Sequence, residues 1–253
     1  MSSISVIIPC YNEENNLNRG VLQEVQDYLK TQKYKWEVII CNDQSTDNSL
    51  SLANKFCRTR PQFRVLDLTK GGKAGALWNG IKNAKYDIVL FTDMDQSTPL
   101  RELSKLLSEF NNGFDIVIGS RGTHRKGNTF TRKLGSKVFM AARNLLLHTH
   151  ITDTQCGFKA MRTSLAKTIF PKLAVIKNIQ ANSGWRVTAY DVEMLLIAQK
   201  SGHTIKEVEV EWRNEDTSTT KGDANARYLK ESQEMAGEVW RIFINNLRGI
   251  YDK

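Results

Sequence analysis

The sequence predicts an α/β protein: a mostly parallel sheet with helices on both faces, ending in an amphipathic helix. Three observations carry the prediction. From Ile4 to Gly119, short β-branched runs alternate with helix-periodic stretches. Turn residues separate the two kinds of run. The 253 residues are 40% hydrophobic and 25% charged with four prolines, the make-up of a packed chain rather than a collagen-like or disordered one.

The predicted strands are Ile4–Ile8, Glu37–Cys41, Arg64–Leu68, Asp87–Phe91 and Asp115–Gly119. Between them lie the predicted helices Asn16–Thr31, Asp47–Cys57, Ala74–Ala84 and Leu100–Phe110. The last of these carries Leu103, Leu106, Leu107 and Phe110 at three- and four-residue spacing, with Thr98-Pro99 as its start signal. Strand–helix alternation implies right-handed crossovers, and ligands on such sheets bind beyond the carboxyl ends of the strands. After Gly119 the rhythm breaks. A helical segment is expected at Thr131–Leu147, a turn at Asp153–Gly157, a helix at Asp191–Lys200 and an alternating strand at Ile205–Val210. Asn214–Ala226 is polar and reads as a loop or lid, and Tyr228–Ile250 as the terminal amphipathic helix. The expected division is a domain over residues 1–213 followed by loop and helix over 214–253.

Charge is uneven. Lysine and arginine number 36 against 27 aspartate and glutamate, a net +9 that points to an acidic partner. From Ile116 to Thr152 there is no acidic residue, while Arg121, Arg125, Lys126, Arg132, Lys133, Lys137 and Arg143 all fall there. No apolar run approaches the ~20 residues of a spanning helix, and no leader precedes the first strand. The four cysteines form no C-x-x-C pair and are expected to be reduced thiols.

The chemistry-bearing residues follow the strands. The first ends in Pro9-Cys10-Tyr11-Asn12-Glu13-Glu14 and the second in Asn42-Asp43-Gln44-Ser45-Thr46-Asp47, where a carboxylate at Asp43 can accept a hydrogen bond from a base N–H. Gly71-Gly72-Lys73-Ala74-Gly75 lacks the spacing of a P-loop. The fourth strand runs into Asp93-Met94-Asp95. In a strand-like step the two carboxylates face one spot, and paired hard oxygens beside a diphosphate suit Mg²⁺ or Mn²⁺. Ser97 can add a ligand.

Together, PCYNEE, NDQSTD, GGKAGALWNG, FTDMDQSTP, IGSR and DTQCGFK, in that order, resemble the family 2 glycosyltransferases with a GT-A fold, and within them the polyprenyl-phosphate sugar transferases. DTQCGFK, Asp153–Lys159, is the most specific element. The resemblance covers roughly residues 3–213. It implies an inverting, nucleotide-sugar-dependent hexosyltransferase, with UDP-glucose ahead of GDP-mannose as donor and dolichyl or undecaprenyl phosphate as acceptor. It assigns Pro9, Tyr11, Glu13, Asp43 and Lys73 to the nucleotide, Asp93 and Asp95 to metal and diphosphate, Arg121 and Arg132 to phosphates, and Asp191 and Glu193 to an acidic pair near the sugar. Asn42 departs from the family, standing where an aspartate is common.

A phosphate monoester is largely dianionic at neutral pH and needs no base, whereas a sugar hydroxyl does. The acid-free basic stretch suits such an acceptor. A lipid acceptor implies a peripheral enzyme on the cytoplasmic face of a membrane, alone, as a homo-oligomer or with a membrane-spanning partner subunit. The alternative is a soluble transferase with a carbohydrate or protein hydroxyl acceptor. No nucleic-acid motif accompanies the charge, so nucleic acid is not an expected partner.

Overall fold

The computed structural model describes residues 3–122, 144, 151–178, 189–213 and 224–252, with side chains from 233 onward in the last segment. In chain order the elements are β1 (Ile4–Cys10), α1 (Glu14–Asn18), α2 (Val21–Lys30), β2 (Trp36–Asn42), α3 (Ser49–Cys57), β3 (Phe63–Asp67), α4 (Gly72–Asn83), β4 (Ile88–Phe91), α5 (Leu103–Asn111) and β5 (Ile116–Ser120). There follow β6 (Lys159–Arg162), α6 (Thr163–Ile169), α7 (Ala174–Lys177), α8 (Tyr190–Lys200), β7 (Ile205–Glu209) and α9 (Ala224–Leu247).

The seven strands form one sheet in the order β3-β2-β1-β4-β6-β5-β7. All neighbouring pairs are parallel except those of β6, which runs antiparallel to both β4 and β5. The sequence pattern gives no strand at Lys159–Arg162, because four residues are too few to show alternation. That strand decides the site. Its first residue, Lys159, pairs with Phe91 and with Ile118, so its start lies at the edge where β4 and β5 end. The Asp153–Phe158 turn is thereby delivered to the carboxyl edge.

Alternation along the strands divides the core between the two faces. Ile7, Ile39, Val89 and Phe91 pack with Leu77 and Ile81 of α4, Ile169, and Leu195 and Ile197 of α8. Val6, Ile8, Val38, Ile40 and Leu90 pack with Val21, Val25 and Leu29 of α2 and Leu103 and Leu106. On the first face α4 comes close enough that a Cβ on Gly80 would lie 2.4 Å from the Ile7 side chain. Val239, Ile242 and Tyr251 join that same core, so the end of α9 packs on the sheet-bearing body.

Two expected helices differ in detail. The stretch predicted as Asn16–Thr31 is two helices, broken at Gly20, whose φ of +89° lies in the left-handed region. The stretch after Pro99 opens with a 3₁₀ turn, Leu100–Glu102, before α5. The Thr131–Leu147 helix and most of the Asn214–Ala226 loop lie outside the described residues. All four cysteines are free, and burial pushes the Cys10 and Cys41 thiols up to about 12, so neither is a nucleophile at neutral pH.

Candidate active site

Three of the turns leaving the sheet's carboxyl edge each hold one non-glycine residue in the left-handed region: Asn12 after β1 (φ 55°), Gln44 after β2 (φ 59°) and Gln96 beyond β4 (φ 50°). Such conformations cost energy and collect where a loop must present particular groups. The first two turns are stitched together. Asn12 accepts from the Thr46 amide at 2.8 Å, its own amide donates to Ser45 Oγ at 3.1 Å, and the Glu13 amide donates to Ser49 Oγ at 2.7 Å.

Beside them Asp43 is buried, its carboxylate accepting from the amides of Gly71 (2.7 Å) and Gly72 (3.0 Å) at the start of α4. The expected base-binding carboxylate therefore also fastens the glycine pair, and Lys70 stands 3.6 Å from it. The same lysine sits 2.8 Å over the ring of Tyr11, which is 44% exposed. Pro9 occupies the carboxyl end of β1, opposite Cys41. Asn42 donates to Asp67 Oδ1 at 2.7 Å. An aspartate there would face Asp67 as a like charge, which accounts for this departure from the family pattern.

Asp93 and Asp95 do not lie on the strand, which ends at Phe91, but in the turn beyond it. Met94 is buried between them, and both carboxylates line one pocket of about 190 Å³ together with Arg121, Gln155, Gly157 and Trp212. Asp95 accepts from the Ser97 amide at 2.8 Å, so Ser97 orients Asp95 through its backbone. Asp93 receives Lys73 Nζ at 2.5 Å. Burial works to raise the Asp93 carboxyl, but the Lys73 ammonium and the charges of Lys159 and Arg121 hold it below the ordinary range. Glu13 goes the other way. Burial raises it to about 7 against the bond from Asn16, with Asp95 and Asp93 adding repulsion.

Arg121 is gripped by Asp153, with Nε and Nη2 each 2.7 Å from a carboxylate oxygen, and its amide donates to the same group at 3.1 Å. Two of its five N–H bonds are spent there. Gly157 has a steric reason: a Cβ there would lie 2.1 Å from Asp93 Oδ2. Lys159, 2% exposed, donates to Asp191 Oδ2 at 3.1 Å and to the Cys156 carbonyl. The other Asp191 oxygen is buried without a partner.

Glu193 is not part of this group. It is wholly buried, accepting from Tyr251 Oη at 2.7 Å, from the Arg241 guanidinium at 3.3 and 3.4 Å and from the Ala174 amide at 3.3 Å. The expected acidic pair is thus split, with Asp191 on Lys159 and Glu193 on the C-terminal segment. Arg132 lies outside the described residues. Asp153, Gly157, Lys159 and Trp212 are residues of the edge that sequence reasoning did not single out, although the first three sit inside DTQCGFK, the motif it ranked most specific.

A mostly parallel sheet with a carboxylate-bearing turn, a lysine at a helix start and a clamped arginine at its carboxyl edge is the arrangement expected of a GT-A transferase. Residues 5–170 match the model for Glycosyl transferase family 2, and the chain belongs to that family. It is 31% identical over 222 residues to a dolichyl-phosphate beta-glucosyltransferase of Trichomonas vaginalis, covering 81% of this chain and 62% of that protein. It is 33% identical over 227 residues to the dolichyl-phosphate beta-glucosyltransferase of Homo sapiens, covering 83% of this chain and 67% of that protein. Among solved structures it resembles glucosyl-3-phosphoglycerate synthase from Mycobacterium tuberculosis, in a complex with Mn²⁺, UDP and glucosyl-3-phosphoglycerate. The TM-score is 0.64 at 19% identity, over 95% of this chain and 80% of that one, a likeness of fold.

Proposed function

We propose that this chain transfers a hexose, glucose from UDP-glucose, to a polyprenyl phosphate of the dolichyl type at a membrane surface, with inversion at the anomeric carbon. The observation that carries the reading is the single pocket in which Asp93, Asp95 and Arg121 meet at the carboxyl edge of the sheet. Relatives named as dolichyl-phosphate beta-glucosyltransferases support the donor and the acceptor.

The residues fit Mg²⁺ or Mn²⁺ in a limited way. Asp93 and Asp95 offer hard oxygens in one pocket, but among the described residues no third histidine, cysteine or carboxylate completes a metal-holding group. The remaining ligands must come from diphosphate and water. A divalent ion so held would neutralise charge growing on the leaving diphosphate. Arg121 adds N–H donors to those oxygens, fixed in direction by Asp153 so that little reorganisation is needed. Tyr11 presents an exposed ring on which a base can stack, beside Asp43, whose carboxylate can accept from the base N–H. Asp191, which the family resemblance places near the sugar, is engaged by Lys159 through one oxygen. A carboxylate so engaged is a positioning group rather than a free base, which suits a phosphate acceptor that arrives deprotonated.

No helix among the described residues is long and apolar enough to cross a membrane. The exposed Trp240, Leu247 and Ile250 near the C-terminal end, with Arg248 beside them, are the surface proposed to touch the bilayer. The test is a transfer assay pairing UDP-glucose and GDP-mannose with dolichyl and undecaprenyl phosphate in liposomes, alongside flotation at low and high salt. Glucosyl lipid and salt-sensitive flotation are expected. Transfer to water-soluble acceptors alone would replace the lipid reading, and transfer from GDP-mannose alone would replace the donor.

A further inference from the structure

Asp93, one of two carboxylates lining the pocket among the described residues, is already occupied. Lys73 Nζ stands 2.5 Å from Oδ1, and the lysine belongs to the first turn of α4, whose entering amides at Gly71 and Gly72 are tied to Asp43. The other oxygen presses on bare backbone, since a Cβ at Gly157 would lie 2.1 Å from it. The carboxylate is therefore wedged between an ammonium and a glycine and has little room to turn away from either. Both side chains of the pair stay about two-fifths exposed, so the ammonium is within reach of an incoming anion.

We propose that Lys73 is a resident counter-ion of Asp93 that makes divalent-cation binding depend on the nucleotide. A free divalent cation approaching Asp93 and Asp95 meets a like charge in contact with one of its two protein ligands, with no third ligand among the described residues to compensate. A nucleoside diphosphate changes the balance. Its oxygens take the Lys73 ammonium in a charge-assisted bond, Asp93 is released, and the same oxygens complete the coordination of the cation. The ammonium rests on one carboxylate before the nucleotide arrives, and ammonium and cation are shared between two carboxylates and a diphosphate after it. The proposal rests on the reading of Asp93 and Asp95 as the metal pair.

The experiment is Mn²⁺ titration of the full chain followed by water-proton relaxation, with and without UDP, for the parent, Lys73→Met, Lys73→Arg and Asp95→Asn. The parent should hold Mn²⁺ at least about tenfold more weakly without UDP than with it. Lys73→Met should gain about tenfold or more in Mn²⁺ affinity without UDP, so that UDP adds correspondingly less to it than in the parent. Lys73→Arg, which keeps the charge, should behave as the parent and shows that an altered α4 is not the cause. If Lys73→Met binds Mn²⁺ alone no better than the parent while UDP still recruits the ion, the counter-ion role is overturned and the metal pair stands. If the parent binds no Mn²⁺ even with UDP, or Asp95→Asn binds it as well as the parent, the metal-pair reading falls and the proposal with it.

Discussion

Asp191 and Glu193 stand two residues apart on α8, and their carboxylates serve opposite sides of that helix. Asp191 meets the buried Lys159 at the carboxyl edge of the sheet and keeps one oxygen without a partner. Glu193 faces the C-terminal segment, where Tyr251, Arg241 and the Ala174 amide take up its oxygens. A helical step of two turns a side chain by about 200°, so a pair adjacent in sequence is split in space. Asp93 and Asp95 have the same spacing but lie in a turn around the buried Met94, and both reach one pocket. The two regions differ in what their carboxylates leave open. At the C-terminal anchor Glu193 has a donor for each oxygen. At the carboxyl edge Asp95 and Asp191 are only partly engaged, Asp93 is held by Lys73, and Glu13 is pushed up by burial, with its acidic neighbours adding to the effect.

The sharpest way to break this contrast is to remove one carboxylate from each region. Asp95→Asn should lower metal-dependent transfer about a hundredfold or more. It should move unfolding stability by less than about 1 kcal/mol, because only the Ser97 amide contact is weakened. Steady-state transfer and denaturant titration measure the two effects. A variant with full Mg²⁺-dependent turnover would remove Asp95 from the metal pair. Glu193→Ala should show the reverse pattern. It leaves Tyr251 and Arg241 without their shared acceptor and should cost about 3 kcal/mol in denaturant unfolding. At low temperature, transfer per folded molecule should stay within a few-fold of the parent. If activity instead falls with stability unchanged, Glu193 belongs to the site after all.

The same contrast explains how much was legible in the residues. The parallel frame was readable because each early strand is β-branched and each turn after it carries its own signature. Asp93, Asp95, Arg121 and Asp43 could be singled out in the sequence because they follow directly from those strands. Lys159 was not, since a lysine reads as a surface residue until an antiparallel strand of four residues buries it against Asp191. Asp153 and Gly157 were legible only as part of a motif. Their roles, gripping Arg121 and giving Asp93 room, are relations across the sheet that no local spacing records. Glu193 was misplaced because the resemblance supplies a residue type and a position but not the side of the helix. Arg132 and the loop proposed as a lid fall in segments outside the described residues.

A third prediction probes the steric half of the edge. In Gly157→Ala the new methyl group would collide with Asp93 Oδ2 and must displace that carboxylate. Overpacking of this kind costs about 1–3 kcal/mol in a rigid setting, less here because Asp93 faces an open pocket. The larger consequence should be functional, with metal-supported transfer down about tenfold as Asp93 leaves its position beside Asp95. Transfer measured across a Mn²⁺ series checks this. Unchanged activation by Mn²⁺ would show that Asp93 tolerates being moved.

The smallest expected effect is one of pH, and it probes the carboxyl edge by a titration rather than a loss. Glu13 titrates near 4.5 in an unfolded chain, and burial with the Asp95 and Asp93 charges raises it to about 7 in the fold. The sign follows from proton counts. Below pH 4.5 both states hold the proton and Glu13 contributes no slope. Between 4.5 and about 7 the unfolded chain releases it while the folded protein retains it, so stability falls as pH rises through that window. Above about 7 both are ionised and the loss is complete. Glu13→Gln, which keeps the shape and cannot ionise, should flatten this part of the profile and make the protein relatively more stable at pH 8 than at pH 5, compared with the parent. Unfolding titrations at those two values decide it. If Glu13→Gln leaves the parent's slope intact, the crowding of acids at the carboxyl edge is not what sets it.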